Sequence, residues 1–82
     1  MRHTIEFVAE ANYLDTHTAL QVAVDNVERF HLFREGDRLY VTTFYVDDFV
    51  RAVKAKQDAT LPGGSEAVRE IHIARQREAW NR

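Results

Sequence analysis

The sequence predicts an α+β fold, a small antiparallel sheet packed by helices, and three observations carry that prediction. An alternating segment opens the chain, a glycine-centred hairpin pattern occupies the middle, and two amphipathic segments separated by a Pro-Gly-Gly break close it. At 82 residues the chain has apolar side chains enough for one core, so one globular domain over residues 1–82 is expected. A hydrophobic share of 45%, with five Phe, three Tyr and one Trp, can fill that core and argues against disorder.

From His3 to Glu10, Ile5, Phe7 and Ala9 alternate with Thr4, Glu6, Val8 and Glu10, the pattern of a strand with one buried face. Residues 16–30 carry two periods at once. Thr18, Leu20, Val22 and Val24 alternate, yet at 100° per residue Leu20, Ala23, Val27 and Phe30 fall on one face, opposite Gln21, Asp25, Glu28 and Arg29. The helix is favoured, with Asp15 or Thr16 as its cap, although Val22, Val24 and Val27 are stiff in helices. His31–Arg34 and Arg38–Val46 flank Glu35-Gly36-Asp37, where Gly36 can take the positive φ of a tight hairpin. Leu39 to Val46 is almost wholly aromatic or β-branched, which predicts a central strand covered on both faces.

Asp47 or Asp48 is then expected to cap a helix with Phe49, Ala52, Val53 and Lys56 on one face, ending near Asp58. Leu61-Pro62-Gly63-Gly64 breaks the chain, and Ser65 can cap a last helix from Glu66 to Trp80. The expected order is β-α-β-β-α-α; the alternative is a four-stranded β-meander followed by two helices.

The chain lacks the usual constellations of catalysis. It has no cysteine, so disulfides, thiolate chemistry and Cys-based zinc sites are excluded. His3, His17, His31 and His72 are not spaced as a metal pair, and no cofactor or metal site is expected. His72, between Ile71 and Ile73, is read as half-exposed at the edge of an apolar face. Ser65 reads as a cap rather than a nucleophile, Asp47-Asp48 as a helix-start signal, and Glu66 with Glu70 as a solvated pair. The expectation is a protein that is not an enzyme. No apolar run near the N-terminus suggests a signal peptide or a membrane span, so a soluble, cytoplasmic protein with no membrane partner is expected.

Charge is divided along the chain. Residues 1–48 hold four arginines against nine carboxylates, net −5, and residues 49–82 hold seven cations against four carboxylates, net +3. Glu6, Glu10, Asp25, Glu28, Glu35 and Asp37 are the candidates for an acidic partner-binding surface that occupies a basic, nucleic-acid-binding face of a target protein. The C-terminal helix offers a second surface through Arg69, Arg75, Arg77 and Trp80, with Arg82 beyond them. Its two apolar lines, Val68 with Ile71 and Ile73 with Trp80, call for two different coverings.

In general form, one short domain with polarised charge and no catalytic constellation, the chain is similar to small phage or mobile-element proteins such as anti-CRISPR inhibitors and antitoxins. That resemblance implies a protein target and assigns no residue. A non-catalytic protein-binding module is therefore the first expectation. The alternative is a small nucleic-acid-binding regulator using the basic C-terminal helix, although Glu66, Glu70 and Glu78 dilute its positive potential. A homodimer is open to a chain of this size.

Overall fold

The structure, a computed structural model, describes residues 1–81. It is an α+β fold with a three-stranded antiparallel sheet and four helices: β1 (Arg2–Thr4), α1 (Ile5–Ala11), α2 (Thr16–Asp25), β2 (Phe33–Glu35), β3 (Arg38–Thr42), α3 (Val46–Thr60) and α4 (Gly64–Trp80). The order β-α-α-β-β-α-α replaces both orders expected from the sequence, because the opening segment folds as a short strand followed at once by a helix.

Thr4 makes that switch. Its Oγ1 accepts a hydrogen bond from the Phe7 N–H at 3.1 Å, capping α1, with Glu6 in the first turn. Ile5, Val8 and Ala9 satisfy the helical spacing and are buried, while Phe7, an inward residue under the alternating pattern, is exposed and stacks on His3. The apolar residues fit both periods, and the cap together with helix-forming Glu6, Ala9, Glu10 and Ala11 decides for the helix.

Asp15 starts α2, its Oδ2 accepting from the Thr18 N–H at 3.0 Å and the Thr18 hydroxyl at 2.7 Å. The helix ends at Asp25, where the Asn26 side chain donates to the Val22 carbonyl, and residues 26–31 form turns. The buried face is therefore Thr18, Ala19, Val22 and Ala23 rather than Leu20, Ala23, Val27 and Phe30. Phe30 still reaches the core, but from irregular chain, and Val27 is 36% exposed.

In the hairpin Glu35 faces Arg38 across a two-residue loop, with Gly36 at φ 63° in the first loop position, the geometry a twisted hairpin favours. β3 is central, in the order β1-β3-β2. Its inner side carries Val41 into the core, while on its outer side Arg38 is exposed and Tyr40 and Thr42 are only partly buried. There the Arg2 guanidinium lies 5.2 Å from the Tyr40 ring centroid and 5.8 Å from that of Phe33. The strand also stops at Thr42: residues 43–45 turn, and Val46 already belongs to α3.

Tyr45, not Asp47 or Asp48, occupies the cap position of α3, with no side-chain cap bond; the two aspartates sit in the first turn and act on the helix dipole. Phe49, Val50, Val53 and Gln57 are its buried residues, and it runs to Thr60. The main core joins Ile5, Val8, Ala9, Leu14, Ala19, Val22, Ala23, Phe30, Leu32, Val41, Phe49, Val50 and Val53, a cluster to which α4 contributes no residue.

Candidate functional site

α4 is attached to this body by a short corner and a line of polar contacts. Gly63 and Gly64 turn the chain with φ of 77° and 63°; a Cβ on Gly64 would lie 2.7 Å from Asp58 Oδ1 and 3.2 Å from Asp58 Cα. That close approach lets Asp58 Oδ1 accept from the Ser65 N–H at 2.8 Å, so Gly63 rather than Ser65 holds the cap position and Asp58 satisfies a first-turn N–H. The Ser65 backbone N–H holds the Asp58 carboxyl below its ordinary value of 3.8. Gln57, fully buried, accepts from the Asp15 N–H at 2.7 Å and donates to Ser65 Oγ at 3.0 Å. Asp15 is likewise held below 3.8, first by the Thr18 hydroxyl and then, against the opposing effect of burial, by the Thr18 N–H.

One stripe of α4 is buried: Gly64, Val68 and His72, four residues apart. His72 is 6% exposed, in contrast to the half-exposed position its neighbours suggest. Its Nε2 lies 2.7 Å from the Leu14 carbonyl, which can only accept, so Nε2 carries the hydrogen. The other ring nitrogen faces Glu10 at 3.9 Å, and the Tyr13 ring meets the imidazole edge-on. Beyond His72 the stripe ends. Ile73 is partly buried, and every residue from Ala74 to Asn81 is exposed, including Arg75, Arg77 and Trp80, the last at 86%. Arg69 and Ile71 are exposed too, so the expected Val68–Ile71 line is split between the body and solvent. Arg82 lies outside the described residues.

The six acidic candidates lie on three parts of the fold. Glu6 and Glu10 are on α1, where Glu6 Oε2 faces Arg38 at 3.8 Å and Glu10 faces His72. Glu35 and Asp37 belong to the hairpin, and Glu35 pairs with Arg2 at 2.8 Å. Asp25 ends α2 and Glu28 follows it in the turns. Arginines thus offset Glu6 and Glu35 locally. Asp37 instead lines a concavity of about 390 Å³ with Val24, Val27, Arg34 and Leu39.

The residues tested for chemistry are tied down. The Ser65 hydroxyl receives the Gln57 amide and donates to the Lys54 carbonyl at 3.1 Å, and no histidine among the described residues bonds to it. Among the described residues no group of three or more His, Asp or Glu side chains could hold a metal, and no helix is long and apolar enough to cross a membrane.

A further cluster was not among the sequence candidates. The turns after α2 and the corner between β3 and α3 bring together Arg29, Phe30, Tyr45, Asp48, Arg51, Ala52 and Ala55 around an open concavity of about 580 Å³. Sequence spacing could not find it, because Arg29 and Arg51 come from segments that meet only in the fold; the one local signal was Phe44-Tyr45, absorbed into the expected strand.

Comparison of the chain with family models, with curated proteins and with solved structures finds no match.

Proposed function

We propose that this chain is a non-catalytic protein-binding module that presents the outer half of α4 to a protein partner. The observation that carries the proposal is Trp80, 86% exposed at the end of a helix whose buried stripe finished two turns earlier at His72. Exposed indole in water is unfavourable, and Trp and Arg supply a disproportionate share of binding energy at interfaces. Arg75 and Arg77 lie on the same exposed segment. Ile71, half-exposed one helical turn before Arg75, extends the apolar part of the surface. Glu66, Glu70 and Glu78 interleave with the arginines, which favours a protein over the uniformly negative backbone of a duplex.

The second reading, the acidic surface, is favoured by one feature: Asp37 borders an apolar concavity formed by Val24, Val27 and Leu39. Affinity capture from the host with quantitative mass spectrometry separates the two. Loss of the captured protein with Arg75→Ala plus Trp80→Ala, and its retention with Glu28→Lys plus Asp37→Lys, is the expected pattern. The reverse pattern would transfer the function to the acidic surface. Tight, salt-sensitive binding of the unmodified protein to duplex DNA would replace both with a nucleic-acid regulator. An inhibitor of the anti-CRISPR type follows only if the captured protein itself handles nucleic acid.

A further inference from the structure

The corner between β3 and α3 holds a second surface with a different chemistry. Arg29 and Arg51 line the same concavity from two elements. Arg29 packs its guanidinium 4.9 Å from the Phe30 ring centroid, and Arg51 meets the exposed Asp48 at 3.5 Å. Among the described residues neither guanidinium pairs with a buried carboxylate, and each presents a planar fork of donors suited to an oxyanion.

Beside them stands an array of rings. His31, at a φ of 52°, stacks on Tyr45 with centroids 4.7 Å apart and planes 25° apart. Phe44 meets Tyr45 edge-on at 5.1 Å and is 83% exposed. A phenylalanine this exposed leaves ring surface open to a planar ligand, and a left-handed backbone at a non-glycine residue costs energy that is often retained at binding sites. Oxyanion donors beside a stacking platform are the two components of single-strand recognition.

We infer that this corner binds a nucleotide unit, its phosphate held by Arg29 and Arg51 and its base stacked on Phe44. The shared chemistry is one phosphate and one planar base, supplied by a free nucleotide or by a single strand of nucleic acid. Asp48 competes with the phosphate for Arg51, so affinity rises when that carboxylate is removed. The surface is separate from the outer half of α4 and does not depend on the role proposed for it.

The test is titration of the isotope-labelled full chain, followed by NMR, with adenosine monophosphate, a ten-residue oligothymidylate and inorganic phosphate. Shifts centred on Arg29, Phe44, Tyr45 and Arg51 are expected with both nucleotide probes; tighter binding of the oligonucleotide assigns the site to a strand, and tighter binding of the monophosphate to a free nucleotide. Phe44→Ala weakens nucleotide binding by about tenfold and leaves inorganic phosphate unaffected. Arg29→Gln with Arg51→Gln weakens all three probes. In the oligonucleotide titration the one phosphate held by the two arginines gives a log–log salt slope of about −0.7. Asp48→Asn, an exposed change that leaves the fold intact, tightens binding. Absence of shifts at millimolar probe, unchanged binding in the double arginine variant, or no gain with Asp48→Asn would overturn the assignment. So would tighter binding of a short acidic aromatic peptide than of the oligonucleotide at equal salt.

Discussion

The two ends of this molecule are stabilised in different ways. In the body, α1, α2, α3 and the sheet share one apolar cluster in which Ile5, Ala9, Leu14, Ala19, Ala23, Val41, Phe49 and Val53 are completely shielded from water. α4 adds no residue to that cluster and is held by Val68, the His72–Leu14 hydrogen bond and the Gln57–Ser65–Asp58 contacts at its start. Hydrophobic burial is the larger contribution to folding, so the body carries most of the stabilisation, whereas α4 is held by Val68 and a few directional bonds. The outer half of α4, from Ala74 to Trp80, buries no side chain. That exposed segment carries the one tryptophan, in keeping with the association proposed for it.

The largest effect belongs to the body. Phe49 is fully buried and meets Phe30 edge-on at 5.6 Å, so Phe49→Ala costs about 3–5 kcal/mol, enough to unfold a domain of this size, as urea denaturation followed by circular dichroism will show. At the junction, Gln57→Leu strips the Asp15 N–H and the Ser65 hydroxyl of a shared partner and costs about 2 kcal/mol, measured in the same way. Loss equal to that of Phe49→Ala would mean that α4 and the body are one cooperative core after all.

Acid sharpens the same junction. Asp15 and Asp58 have folded-state values depressed below 3.8, so their stabilisation is complete above 3.8 and is lost as pH falls through the lower folded values. The urea midpoint therefore falls below pH 3.8, and Asp15→Asn and Asp58→Asn, which keep an acceptor but cannot titrate, flatten that limb. The smallest effect is in the outer half of α4: Trp80→Ala changes stability by less than about 0.5 kcal/mol.

What could be read from the sequence divides along similar lines. The α+β class, the Gly36 turn, the central place of β3 and the start of α2 at Asp15 depend on local chemistry, and each follows from a few neighbouring residues. The opening segment was read as a strand, and Ile5 to Ala11 is instead a helix, because Ile5 and Ala9 fit both periods and the Thr4 cap acts through one hydrogen bond that alternation does not register. α2 was read five residues too long because Phe30 is indeed buried, though by a turn and not by a helical face. His72 looked peripheral because its partner, the Leu14 carbonyl, lies 58 positions away in the chain.

Of the candidate surfaces, the arginines and Trp80 of the last helix could be named from the sequence. Their exposure could not, since that depends on where the buried stripe stops. The acidic set was a charge count, and a count does not reveal that Arg2 and Arg38 fold back onto Glu35 and Glu6.

Trp80 is the chain's single tryptophan and so reports its own surroundings without a label. The account predicts that the isolated protein emits at the long wavelength of water-exposed indole, little altered by unfolding in urea, and that emission moves to shorter wavelength when the captured partner is added. Long-wavelength emission that stays unchanged in the complex, while binding survives Trp80→Ala, would contradict the claim that the outer half of α4 is the binding surface.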